Sequence, residues 1–247
     1  MHNYSFSNLA RFIDRQEPEV REKFLFHTDP ARVIALMAFD ELLTARDEEI
    51  AKVAIVSGGY DEPELMFLPS TIETTLLSFE DSPLWDLCED WSDGRLAKSA
   101  GAYDLVLCEQ VMEHLIDPAQ AFRNLHYLLR PGGMAHVSVP GVNGTHGLPH
   151  YFYAGFHPAA LDSFFKSAGF ATWNSSGWGS NKTVMMYATT DWTPLFFSAF
   201  PKSLRSFKPR NIRDLLRGLH HYFRYARHSF FAQNPRHYTV SWGAGVK

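Results

Sequence analysis

The sequence predicts an α/β fold, a doubly wound Rossmann-like sheet. Three observations predict it. Short solid apolar runs, "KVAIVSGG" at 52–59 and "YDLVLC" at 103–108, read as strands covered on both faces. Helical patterns alternate with these runs, as crossover units require. The second run stops abruptly at Glu109 and Gln110. In open parallel sheets, polar strand ends of this kind line the ligand crevice.

Taken in order, the elements follow from local chemistry. Residues 30–46 read as a helix, with Asp29 as cap, Pro30 in the first turn, and Val33, Leu36, Met37 and Leu43 on one side. After the strand at 52–57 and its glycines, "TIETTLLSFE" (71–80) reads as a strand that ends in an acid. "LWDLCED" (84–90) reads as a weaker third strand, and 103–108 as a fourth. "PAQAFRNLHYLLR" (118–130) is a helix capped by Asp117, with Phe122, Leu125 and Leu129 as its apolar stripe. "PGG" (131–133) ends it, and "MAHVSVP" (134–140) is a fifth strand. Pro158 to Ala168 is a helix stopped by Gly169. "FATW" and "KTVMMYATT" read as closing strands around the loop "NSSGWGSN". The expectation is a seven-stranded, mostly parallel sheet with an antiparallel closing strand. A helical segment (1–50) precedes the central domain (51–190), and a basic aromatic extension (191–247) follows it.

Composition limits the alternatives. The 247 residues contain two cysteines, Cys88 and Cys108, both in apolar segments, which speaks against a disulfide framework and for a reducing compartment. "MHNYSFSNLARFIDRQ" has no continuous apolar stretch of signal type, and no window approaches the ~20 apolar residues of a spanning helix. A cytoplasmic location is expected. Charge is uneven: from residue 191 onward only Asp191 and Asp214 face ten lysines and arginines. "NIRDLLRGLHHYFRYARHSFF" (211–231) has the pattern of a basic amphipathic helix. Residues 205–231 could therefore meet an anionic membrane surface or a phosphate backbone, although packing on the domain or on a second subunit is the favoured reading.

The segment "YDLVLCEQVMEHLIDPAQAFRNLHYLLRPGGMAHVSVP" resembles class I S-adenosylmethionine-dependent methyltransferases from strand 4 through strand 5. The acid–histidine pair, the Asp-Pro helix start and the Leu-x-Arg-Pro-Gly-Gly helix end match in order and spacing. "HYFYAGFHPAALDSFFKSAGF" is similar to the part that follows strand 5 in many members. The glycine loop departs from the family pattern. Ile55 stands where strand 1 usually carries an acid, Ser57 replaces the first glycine, and Asp61 replaces the third.

The resemblance implies S-adenosylmethionine as cofactor. Ser57, Gly58 and Gly59 are then candidates for the loop that meets it, because glycines let backbone approach a ligand closely. Glu80, about 20 residues on, is the candidate for ribose hydroxyls. Asp86 and Leu87 could flank the adenine, and Glu109 or Gln110 could line the methionine end, where a sulfonium cation favours acids. For proton transfer the candidates are His150, in the aromatic loop after strand 5, and the pair Glu113–His114; that pair also suits holding the loop. Metal-type side chains occur at Glu113, His114, His146 and His150. However, Gln110 replaces the first acid of the pattern by which some related RNA methyltransferases hold a divalent ion, and no metal is expected. The expected reaction is in-line methyl transfer to an O or N atom of a small-molecule or sugar acceptor. The alternatives are a methyltransferase-like binding module with weak or lost catalysis, and an RNA methyltransferase that uses the basic tail. A homo-oligomer is compatible with all of these.

Overall fold

A computed structural model describes residues 6–26, 28, 30–80, 85–180, 184 and 238–247. The element order is α1 (Phe6–Asp14), α2 (Pro18–Phe26), α3 (Pro30–Thr44), β1 (Lys52–Val56), β2 (Glu73–Leu77), β3 (Tyr103–Glu109), α4 (Pro118–Leu128), β4 (Leu129–Pro140), α5 (Pro158–Ala168), β5 (Thr172–Trp178) and β6 (Val240–Val246). The chain divides into two compact units, one of Met1–Ala38 with Trp178–Val240, the other of Phe39–Gly177 with Ser241–Lys247.

In the first unit, Phe12 of α1 and Phe24 of α2 are buried and their rings stack at 5.9 Å. Arg21 ties the turn between the two helices by donating to the carbonyls of Asp14 and Gln16. Among the described residues, no helix is long and apolar enough to cross a membrane.

The sheet order is β2-β1-β3-β4-β6-β5, with β2, β1, β3 and β4 parallel. β5 and β6 run antiparallel, as the bonds Ala171 N–H to Val246 O and Thr239 N–H to Trp178 O indicate. Side chains alternate across the sheet, as the period of two demands. On one face Ala54, Val56, Val106, Cys108, Ala135, Val137 and Val139 pack under α4 and α5. On the other, Val53, Ile55, Leu105, Leu107 and Met134 pack with Phe39 of α3. Both faces are covered, which explains the solid apolar runs.

The helix ends follow their caps. The Asp117 carboxylate accepts from Gln120 N–H at 3.0 Å, and Pro118 opens α4. His157 Nδ1 accepts from Ala159 N–H, and Gly169, at φ +90°, closes α5.

Three expectations are corrected, and the strand count is reported for the described residues. Residues 85–90 form turns, not a strand, because Asp86 and Asp90 each bond backbone two residues on (Cys88 N–H and Ser92 N–H) in competition with a ladder. Leu129 leaves the helical stripe and begins β4, which runs through the "PGG" segment. "NSSGW" belongs to β5 rather than to a loop. The sheet described has six strands, and its antiparallel member β6 comes from the last residues of the chain. The expected strand "KTVMMYATT", apart from Val184, and the basic segment 205–231 lie outside the described residues.

Candidate active site

The strand order reverses between β1 and β3: the chain goes from β1 out to β2 on one side, and continues through β3 and β4 on the other. A crevice opens beyond the carboxyl ends at such a point. Ser57 follows β1 and Gln110 follows β3, and both are non-glycine residues at positive φ, +54° and +57°. Two adjacent strand ends thus both carry unfavourable backbone, a feature that clusters at ligand sites. Surrounding bonds hold them there. Ser57 N–H donates to Leu77 O at 2.9 Å, and Gln110 donates from N–H to Ser138 O at 2.8 Å and from Nε2 to Ser138 Oγ at 3.2 Å.

The glycine loop is tightly packed. A Cβ on Gly58 would lie 2.6 Å from Glu62 Oε1 and 2.8 Å from Ile55 Cγ2. The Glu62 carboxylate therefore folds back over Gly58. Pro63 then starts a 3-10 turn, Pro63–Phe67, in place of a full helix.

Glu109 is the last residue of β3, and parity places it on the α3 face with Leu105 and Leu107. There its Oε1 lies 2.7 Å from Nδ1 of His136 in β4; the two side chains are 2% and 1% exposed. The His136 ring rests on Phe39 with centroids 4.7 Å apart. Cys108, one residue earlier, points to the opposite face. Burial pushes its thiol well above the usual value, and the charges of Glu109, Glu113 and Glu62 add to the effect. Three carboxylates thus surround the end of β3.

After Gln110 the chain makes a 3-10 turn, Met112–His114, that brings Glu113 under the loop that follows β4. The Glu113 carbonyl accepts from Phe152 N–H and Tyr153 N–H at 3.0 and 3.2 Å. His114 Nδ1 lies 2.5 Å from the His150 carbonyl. The pair therefore pins the loop at 147–153. The Glu113 carboxylate is buried, which raises its pKa above the ordinary range; the neighbouring His114 and His146 oppose that shift.

Residues 88–175, which include β3, the pinned loop and most of β5, match a family model described as a methyltransferase domain. This stretch of the chain is similar to methyltransferase domains. A ubiquinone biosynthesis O-methyltransferase of Escherichia coli O139:H28 is 36% identical over 59 residues, which is 24% of this chain and 25% of that protein. The chain thus spans about a quarter of the length of the curated relatives it matches. Among solved structures, phosphoethanolamine N-methyltransferase 2 of Haemonchus contortus in complex with S-adenosyl-L-methionine is 13% identical, with 97% of this chain and 60% of that one covered and a TM-score of 0.48. A SAM dependent methyltransferase from Archaeoglobus fulgidus is also 13% identical, with 94% and 100% covered and the same TM-score, 0.48.

Ser57, Gly58 and Gly59 follow the carboxyl end of β1, and Gln110 follows that of the neighbouring β3. Glu80 is exposed beyond the end of β2, its N–H bonded to Ser78 Oγ. The Asp86 carboxylate is taken up by Cys88 N–H, and Leu87 is buried in the core under α4. Glu109 is turned away from the crevice toward His136. His150 is exposed on the loop, and its carbonyl, not its ring, holds His114.

Two residues that support the site escaped the reading of the sequence. His136 interrupts an apolar strand, and that interruption was the signal for a buried partner. Asn124 of α4 is 1% exposed; its Nδ2 donates to the carbonyls of Leu87 and Glu89 at 2.9 and 2.7 Å. Asn124 thereby fastens the segment that holds Asp86 and Leu87. Its spacing within the helix gave no sign of this.

Proposed function

We propose that the chain is an S-adenosylmethionine-dependent methyltransferase acting on an oxygen or nitrogen of a small-molecule or sugar acceptor. The observation that carries this reading is the crevice at the reversal of strand order, with strained Ser57 and Gln110 on its two adjacent strand ends, in a chain whose residues 88–175 match a methyltransferase-domain model.

The residues suit the cofactor. Gly58 and Gly59 offer bare backbone at the end of β1. Glu80, exposed beyond β2, supports the reading of a carboxylate for ribose hydroxyls. Asp86 and Leu87 would border the adenine through backbone and apolar surface, since the Asp86 carboxylate is already engaged. The carboxylates of Glu62 and Glu113, both close enough to the end of β3 to act on Cys108, make the mouth favourable for the cations of the methionine end. Of these, Glu62 is the half-buried one at the glycine loop and takes the place of the acid missing at Ile55. When bound, S-adenosylmethionine supplies an electrophilic methyl group on its sulfonium.

The chain's own work is then placement. The loop at 141–156, pinned by Glu113 and His114, covers the acceptor side and orients the acceptor atom in line. Tyr151, Phe152 and Tyr153 supply apolar walls that exclude water. His150, exposed on this loop, is the proposed proton acceptor. Glu113 and His114 act through the loop as positioning residues.

Calorimetry with S-adenosylmethionine and its demethylated product is the test. Both should bind, and Glu80→Ala should weaken both by about tenfold or more, the worth of one to two charge-assisted hydrogen bonds. No binding of either compound by the folded chain at about millimolar concentration, corresponding to ~4 kcal/mol, would overturn the reading.

A further inference from the structure

The loop after β4 holds the one Asn-Gly step of the sequence, Asn143-Gly144. An asparagine side chain can close a five-membered ring onto the backbone nitrogen of the next residue. Glycine in that next position removes the Cβ that would crowd the ring. In most folds the route is closed, because that backbone N–H is held in a hydrogen bond.

Here the route is open. Asn143 and Gly144 are both exposed, and a Cβ on Gly144 would meet nothing within 4 Å. Among the described residues, the Gly144 N–H donates to no acceptor, and the Asn143 side-chain amide has no hydrogen-bond partner. The neighbouring backbone groups are fixed instead. Asn143 N–H donates to Ala154 O at 2.6 Å, and the Gly144 carbonyl faces Nδ1 of His146 at 2.9 Å. The Asn143 carbonyl accepts from the Tyr151 hydroxyl at 2.8 Å. That last bond bears directly on the chemistry. The attacking species is the deprotonated Gly144 nitrogen, whose charge is shared with the oxygen of the same peptide group. This oxygen is the Asn143 carbonyl, where Tyr151 donates. A donor aimed at an oxygen where charge develops lowers the barrier.

We propose that Asn143 is a site of self-modification, converted without enzyme or cofactor to a mixture of aspartate and isoaspartate. The Gly144 nitrogen attacks Asn143 Cγ. A bond forms between them, and the bond from Cγ to the side-chain nitrogen breaks. Ammonia leaves with the proton given up by Gly144. Water then opens the cyclic imide at either carbonyl, so nothing is oxidised or reduced. One opening restores the chain as aspartate. The other routes it through the former side chain and adds one carbon to the backbone. Both place a new carboxylate in the loop. With the longer backbone, the bonds from residue 143 to Ala154 and Tyr151 cannot both persist. The loop over the proposed acceptor side thus changes once, irreversibly, as the molecule ages. No step uses S-adenosylmethionine, so this inference stands or falls apart from the methyltransferase reading.

The test ages the purified full chain at mildly alkaline pH and follows it by peptide mass spectrometry and ammonia release. Residue 143 should convert to two products separable by chromatography. Asn174, which lies in β5 and precedes Ser175, should keep its amide. Gly144→Ala, a change into open space, should slow the conversion by about tenfold or more. Tyr151→Phe should slow it by about two- to tenfold in the folded chain, the worth of one hydrogen bond. In concentrated urea, where Tyr151 no longer reaches Asn143, parent and Tyr151→Phe should age alike. The proposal is overturned if Asn143 keeps its amide in the folded chain while it converts in urea. It is equally overturned if Gly144→Ala ages as the parent does, or if Tyr151→Phe ages as fast as the folded parent or faster.

Discussion

Replacing Gly245 by alanine should destabilise the protein, although alanine normally suits a strand better than glycine does. The backbone at Gly245 does not need glycine's freedom; the neighbours do. A Cβ there would lie 2.5 Å from Phe165 Cδ1, 2.7 Å from Phe170 Cδ1 and 2.8 Å from Phe165 Cε1. Carbon atoms prefer about 3.5–4.0 Å, so the rings must shift by roughly 1 Å. Neither ring is free to shift. Phe165 is fully buried, edge-on to Phe170 at 5.0 Å and to Phe122 at 4.8 Å. Overpacking of this kind costs about 1–3 kcal/mol. The stiffer unfolded chain returns about 0.4–1 kcal/mol. A net loss of ~1–2 kcal/mol remains, a fall in Tm of about 2–8 °C for a chain of this size. Urea denaturation and thermal melts of the full chain measure it. Gly144→Ala is the control, since nothing lies within 4 Å of a Cβ there; it should stay within about 0.5 kcal/mol of the parent. If Gly245→Ala melts with the parent, the close packing of β6 on α5 is wrong. Phe165→Leu combined with Gly245→Ala should cost less than the sum of the two, by about 0.5 kcal/mol or more, because they share one contact.

Three further outcomes follow from the site and its supports. Gly58→Ala should displace the Glu62 carboxylate, since the buried Ile55 cannot yield, and weaken S-adenosylmethionine by about tenfold or more in calorimetry. Unchanged affinity would remove this loop from the crevice wall. Asn124→Ala should leave the Leu87 and Glu89 carbonyls without their amide donor and cost about 2–4 kcal/mol in urea denaturation. It should also weaken adenosine-containing ligands, and a neutral effect on both would mean that the 85–90 segment is held otherwise. Burial works against the charge of Asp104, but Arg130 and the amides of Lys52 and Ala51 outweigh it and hold the carboxyl below its ordinary value. Its stabilisation is therefore complete above the unfolded value of about 3.9 and is lost as pH falls through the lower folded value. Asp104→Asn should cost about 1–2 kcal/mol at pH 7 and flatten the acid limb of a pH–stability curve. An acid limb unchanged in the variant would refute the assignment.

What the sequence showed and what it hid divide along a physical line. β1, β3 and β4 were legible because both faces are covered, so period and polarity agree. α4 and α5 were legible because Asp117, Pro118 and Gly169 act locally. The third strand was misread because Asp86 and Asp90 bond their own backbone, and because a distant residue, Asn124, takes the freed carbonyls. β6 was missed for a long-range reason as well. Gly243 and Gly245 look like strand breakers until Phe165 is seen lying against both. At the site, the parallel strand ends and the glycines announced the crevice. The partners of single side chains were hidden, since His136 and His146 reach the strand-3 turn only through the fold.

The polar end of β3 is therefore three different things in five residues, Glu109 to Glu113. Strand parity sends Glu109 to the α3 face, so its carboxylate is spent on His136 and cannot meet a ligand in the crevice. Gln110 then leaves the strand at φ +57°, which breaks the alternation. Without that reversal Glu113 would not return beneath the loop after β4. The strained residue thus separates an acid that stiffens the sheet from an acid that serves the loop. A glycine at 110 would adopt the same φ at less cost, but it would lose the bond from Nε2 to Ser138 Oγ. That bond ties the end of β3 to β4 where the pinned loop begins. The positive φ is best understood as a joint between the crevice and its cover.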